Sequence, residues 1–156
     1  MKLFIFVSLY ALVCMQFLFA DKVEITSDEM SAENMKKEVQ FMGHVRIKQE
    51  ENWIHSDKII VYFNDNNETK EYKATGNVTF EIKDKKHFYK GHANHITYLP
   101  IESKYILKDH AYVNDVLNKR YINGEKIILN MLTGNAKVQG SKEKPVKFIF
   151  DMEKSK

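Results

Sequence analysis

Residues 72–82 read YKATGNVTFEI, and this stretch decides the fold. Tyr72, Ala74, Gly76, Val78, Phe80 and Ile82 fall on one side of an extended chain, and Lys73, Thr75, Asn77, Thr79 and Glu81 on the other. Strict period-2 alternation of this kind predicts a strand with one face buried and one in water, whereas a helix would scatter the same residues around its circumference. The pattern recurs. Phe41-Met42-Gly43-His44-Val45-Arg46-Ile47 has the same shape, with Gly43 placed 33 residues before Gly76. Another 33 residues on, Asp109-His110-Ala111-Tyr112-Val113 repeats it with Asp in place of Gly, and Gly134-Asn135-Ala136-Lys137-Val138 reads as a fourth, shorter copy.

A second motif interleaves with the first. Ser27-Asp28-Glu29-Met30, Ser56-Asp57-Lys58-Ile59, Ala93-Asn94-His95-Ile96 and Gly124-Glu125-Lys126-Ile127 share a small, acidic-or-amide, polar, apolar order. The chain therefore consists of about four strand–turn–strand units, and self-similarity at a fixed period is the signature of a stacked array. Such units cannot bury their apolar face singly, so neighbours must stack.

Strands are expected at residues 22–30, 39–48, 53–63, 72–83, 87–98, 103–114, 120–131, 136–139 and 146–152. Asn64-Asp65-Asn66-Asn67 is the clearest turn, because Asn and Asp tolerate positive φ and bond their own backbone. Pro145 places the last strand at a sheet edge, where a missing N–H leaves no gap in a ladder. No convincing amphipathic helix interrupts the series, so the expectation is an all-β meander forming one domain over residues 21–156.

Residues 1–20 stand apart. Lys2 precedes an apolar run over residues 3–19, interrupted only by Ser8 and Gln16, and Ala20-Asp21 follows. This reads as a secretory signal peptide cleaved after Ala20, with a retained membrane anchor as the alternative. Cys14, the single cysteine, lies inside that run, so the exported chain owes nothing to disulfides or thiolate metal sites. Of 24 basic residues only Lys2 is lost on cleavage, leaving 23 against 21 acidic, a net charge of +2. That balance argues against a nucleic-acid binder held by phosphate neutralisation.

Catalytic constellations are not found. The sequence has no Gly-rich phosphate loop, Gly-x-Ser-x-Gly elbow or cysteine pair. His92 and His95 have metal-ligand spacing for a helix, but simple alternation on a strand sends them to opposite faces. Asp28, Asp57 and Glu125 share one repeat position, which points to a structural role at strand starts rather than to acid–base work. Neither a metal nor a cofactor is expected.

The inward apolar set includes Val45, Ile47, Ile59, Val61, Phe63, Val78, Phe80, Ile82, Ile96, Ala111, Val113 and Val138. With no helix to cover a sheet face, two sheets that splay apart would expose an apolar groove along these residues, and large apolar surfaces mark binding sites. The export segment, the Ser-Asp-Lys-Ile motif and the recurring Gly-x-Val strands together resemble the LptA/OstA-like family of periplasmic lipopolysaccharide-transport proteins, over nearly all of residues 22–140. That resemblance implies a twisted, open, V-shaped β-jellyroll whose interior holds lipid A acyl chains. It also implies head-to-tail stacking into a bridge between LptC-like inner-membrane and LptD-like outer-membrane proteins. Open strand arrays leave unpaired N–H and C=O rows, and a contact that does not close on itself makes a filament. Val23 and Ile25 at one end and Val146 and Phe148 at the other are the expected joints. The alternatives are an anchored LptC-like subunit of the same pathway, or a periplasmic scaffold with a dry core.

Overall fold

The computed structural model describes residues 22–152, so the expected signal peptide and Cys14 lie outside the described residues. Among the described residues every regular element is a strand. In chain order these are β1 (Glu24–Thr26), β2 (Glu29–Glu33), β3 (Glu38–Gln49), β4 (Asn52–Phe63), β5 (Thr69–Lys83), β6 (Phe88–Leu99), β7 (Lys104–Asp115), β8 (Arg120–Asn130), β9 (Asn135–Gln139) and β10 (Lys147–Phe150). All pairings are antiparallel, and strands β3 to β8 follow one another as a meander. Both terminal rungs are split: β1 and β2 share β3 as partner, and β9 and β10 share β8. The sheet does not close on itself.

One line crosses the whole sheet and folds it into two layers. Register slips between Met42 and Val45 on β3, Thr75 and Val78 on β5, and Lys108 and Ala111 on β7. At each slip two successive residues take positive φ: Gly43 and His44, Gly76 and Asn77, Asp109 and His110. These are β-bulges, where an extra residue bends the strand. The Gly-x-Val motif of the sequence is thus the bulge motif.

The interleaved motif supplies the opposite half of the bend. In Ser56-Asp57-Lys58-Ile59, Ser56 and Ile59 are buried while Asp57 points to solvent. In Ala93-Asn94-His95-Ile96 the outer two are buried and the inner two exposed. Even-numbered strands therefore skip a beat at the fold line, passing from inward to inward over three residues. Odd-numbered strands keep their parity by inserting the left-handed pair. Two sequence expectations change as a result. His92 and His95 both face outward, His92 stacked on Tyr112 and His95 beside the Asp109 carboxylate at 3.4 Å. Asp57 and Glu125 sit in the middle of their strands, not at the starts.

The acidic side chains brace the bulges. The Asp28 carboxylate lies over Gly43 and accepts a 2.7 Å hydrogen bond with His44 Nδ1. Asp57 lies over Gly76 and accepts from Asn77 Nδ2 at 3.0 Å. A Cβ on Gly76 would come within 2.5 Å of Asp57 Oδ2. Glycine is required there for space as well as for φ.

The fourth repeat copy is displaced from its expected place. Gly134 occupies the turn between β8 and β9, with φ of +73°, and is not a bulge residue. Gln139 pairs Lys126, so Gly140 is the residue that reaches the fold line opposite Glu125. There the chain leaves the sheet, turns through Ser141 and Lys144 (N–H to carbonyl, 2.8 Å), and re-enters as β10. The first strand is interrupted at the same line: Ser27 and Asp28 separate β1 from β2, with Asp28 N–H bonded to the Gly43 carbonyl at 2.9 Å. Edge strands have one neighbour to hold them across the bend, and both break at it.

Candidate functional site

Residues on either side of the fold line face each other across the interior. One layer contributes Phe41, Ile59, Val61, Ala74, Ile96, Leu107, Ile127 and Leu129, and the other Val45, Val78, Phe80, Ile82, Tyr89, Ala93, Ala111 and Val113. These sixteen form one apolar cluster, although no helix among the described residues covers either face. A single sheet layer cannot shield its own face, so the cover for each layer is the other. The expected interior residues Val45, Ile59, Val61, Val78, Phe80, Ile82, Ile96, Ala111 and Val113 are buried, and Ile47, Phe63 and Val138 are half-buried. Val45, Ile59, Val78, Leu107, Val113 and Ile127 lose essentially all contact with solvent. Along its middle, the interior is packed.

An opening appears where the layers part, far from the fold line. A cavity of about 60 Å³ is lined by Ile47, Ile54 and Ile82 from one layer and by Tyr72, Tyr98 and Tyr105 from the other, with Val23 and Trp53 at its rim. Cross-strand pairing lines the tyrosines up, since Tyr72 pairs Tyr98 and Tyr98 pairs Tyr105. Their rings stack with centroids 5.9 and 4.4 Å apart. Burial pushes the Tyr98 and Tyr105 hydroxyls above the ordinary tyrosine range; Tyr72 adds to both shifts, while the hydrogen bond between the two raises Tyr105 and lowers Tyr98. They stay neutral, and the mouth offers an apolar wall with a row of hydroxyl tips. Alternation in the sequence places Tyr72 inward, but the ladder follows from hairpin register, which alternation alone does not fix.

The expected joint residues lie on the outer rungs. Val23 precedes β1 and is exposed, while Ile25 pairs Ile47 and is half-buried. At the opposite edge Val146, Phe148, Ile149, Phe150 and Met152 are all exposed, and the Phe148 and Phe150 rings stack at 5.4 Å. β10 pairs β8 on one side only, so its other row of backbone groups is unpaired among the described residues.

Among the described residues there is no group of three or more His, Cys, Asp or Glu placed to hold a metal ion. Asp115 is the one buried carboxylate among the described residues. It accepts hydrogen bonds from Arg120 Nε at 3.2 Å and Asn118 Nδ2 at 2.9 Å. Burial alone would push its carboxyl up, but the Arg120 and Asn118 hydrogen bonds and the guanidinium charge outweigh burial and hold it below the ordinary range. The pair anchors the turn between β7 and β8 and is structural.

Residues 24–135 match the family model described as LptA/(LptD N-terminal domain) LPS transport protein. The chain belongs to this family. The matched span starts at β1 and covers all three bulged strands, with the Ser-Asp-Lys-Ile motif and the Gly-x-Val strands on which the resemblance rested; the export segment lies outside it. Among solved structures, LptH of Pseudomonas aeruginosa is similar, described as the LptA-homologous periplasmic component of the conserved lipopolysaccharide transport device. The match covers 85% of this chain and 96% of that one, with a TM-score of 0.74 and 15% identity. Identity that low speaks for the fold, and the open β-jellyroll is the fold the two chains share. The search of curated proteins found no match.

Proposed function

We propose that this chain is a non-catalytic periplasmic carrier that holds the acyl chains of lipopolysaccharide between its two layers. Copies pass the lipid from an LptC-like inner-membrane protein toward an LptD-like outer-membrane protein by stacking head to tail. The observation that carries this reading is the mouth between the layers, where Ile47, Ile54 and Ile82 of one layer reach an opening fringed by Tyr72, Tyr98 and Tyr105 of the other. A twelve-carbon chain moved from bilayer to water would cost roughly 10 kcal/mol at about 0.8 kcal/mol per methylene. A carrier must therefore cover its cargo along its length. Because the middle of the interior is filled, cargo enters by parting the layers from the mouth inward, with the fold line as the hinge. Family membership supports the transport role, and likeness to a periplasmic protein supports the compartment.

The test is photo-crosslinking of lipopolysaccharide from a photoreactive residue at Phe80 or Val113, one at a time. Adducts at both sites are expected. Folded protein without adducts at either position favours a second reading, a scaffold with a permanently dry core, for which the six fully enclosed side chains are the supporting observation. The mass of the exported protein separates a cleaved carrier from an anchored LptC-like subunit, since loss of residues 1–20 excludes the anchor.

A further inference from the structure

The open side of the two layers carries a second feature, away from the tyrosine ladder. The turn at residues 84–87, joining β5 to β6, faces the turn at residues 131–134, joining β8 to β9, and between them is a cleft of about 440 Å³. The two turns belong to opposite layers, so the cleft straddles the line along which the interior opens. They come close: His87 Nε2 lies 3.5 Å from the position a Cβ on Gly134 would take.

The two walls differ in chemistry. One wall bears Lys85 and Lys86, both exposed, and the other bears Met131 and the exposed Leu132. Nearby lysines are occupied, Lys83 with Glu51 at 3.5 Å and Lys90 with Glu81 at 3.8 Å. Among the described residues Lys85 and Lys86 form no ion pair, so their charge is available to a ligand. The carboxylate in the same turn, Asp84, also lines the cleft and is engaged within the turn. It accepts from the N–H groups of Lys86 and His87, each at 2.7 Å, and from His87 Nδ1 at 3.0 Å. These bonds hold the turn in shape, and Lys85 and Lys86 against the single Asp84 carboxylate leave the turn net positive. The cleft floor is continuous with the interior, because Met131 packs on the core cluster and His87 stacks on buried Tyr89.

We infer that this cleft seats the phosphorylated head of an acylated lipid, with Lys85 and Lys86 on the phosphate and Leu132 beside the first methylenes of the chains entering the interior. The inference rests on the carrier reading and adds to it the anionic end of the cargo. Charge complementarity singles out the occupant: free cations set against an apolar wall at the entrance to an apolar interior suit an amphiphile whose head is anionic. A free phosphate would leave the apolar half of the cleft unused.

The test compares binding of lipid A carrying its phosphates with dephosphorylated lipid A, for the wild type and for the K85Q/K86Q double variant. A K70Q/K142Q variant, altered at exposed lysines elsewhere, serves as control. Loss of two exposed charge contacts should weaken binding of the phosphorylated lipid by about tenfold. Binding of the dephosphorylated lipid should not change, and the control should match wild type with both. Glucosamine 1-phosphate and inorganic phosphate, which have no chains, should not compete; competition would indicate a free-phosphate site and overturn the assignment. An equal loss with both lipids, no loss with either, or an equal loss in the control also overturns it while leaving the carrier reading intact. Wild-type protein that binds neither lipid overturns both.

Discussion

Replacing Gly76 by alanine tests the fold line directly. Two costs are separable. At φ of +86° an alanine enters the left-handed region, which costs about 1–2 kcal/mol for a residue bearing a Cβ. Its methyl would also stand 2.5 Å from Asp57 Oδ2 and 3.0 Å from Asp57 Cβ, so the carboxylate must swing out and release Asn77. A lost hydrogen bond of that sort costs about 1 kcal/mol. Together G76A should lose roughly 2–3 kcal/mol. G134A is the internal standard: its φ is +73°, but its nearest neighbour, His87 Nε2 at 3.5 Å, is at ordinary contact distance. It should lose only the backbone cost of about 1–2 kcal/mol. In a D57A background the G76A penalty should fall to the same value, leaving a coupling of about 1 kcal/mol between positions 57 and 76. Urea unfolding followed by the fluorescence of Trp53, the single tryptophan, measures all four variants. If G76A costs no more than G134A and the coupling vanishes, the carboxylate does not pack on the glycine and the account of the bend fails.

Other outcomes follow from features at the edges and turns. F148D/F150D places two charges on the exposed β10 rung and should lower self-association in sedimentation velocity without altering the unfolding midpoint; unchanged association would remove β10 from the joint. Deleting residues 146–156 should have the same effect on assembly, at the further cost of the β8–β10 ladder. Asp115 has a lowered pKa, so the native state binds fewer protons than the unfolded chain as its carboxyl titrates. Its contribution is therefore complete above the unfolded value of about 3.9 and is lost as pH falls through the lower folded value. D115N should flatten the acid limb of stability against pH, and an unchanged limb would assign acid sensitivity to other carboxylates.

Most of the architecture could be read from two short motifs, because each strand carries its own half of the bend. Gly-Asn and Gly-His announce a left-handed pair, and small–acidic–polar–apolar announces two outward residues in a row. Alternation was legible for β5, whose parity survives the bulge, and so were the inward positions Val78, Phe80 and Ile82. It failed at His95, where period 2 gives the wrong face because β6 slips by one residue at Asn94. Gly134 reads in sequence as the start of a fourth copy of the strand motif because glycine serves tight turns and bulges alike, and local sequence does not say which strand lies opposite. The tyrosine ladder and the paired turns at residues 84–87 and 131–134 depend on how distant hairpins meet across two layers. A residue such as Lys86 looks the same in sequence whether its turn faces open water or another turn.

The recurring bend has a consequence for how such proteins vary in size. Its period is one odd and one even strand, 33 residues from Gly43 to Gly76 and again to Asp109. A whole module could be duplicated or excised with every crease still meeting its carboxylate or amide, changing the span by about 10 Å, two interstrand spacings. Length then becomes a quantity set by copy number within the gene, as a carpenter's folding rule is extended by one more leaf.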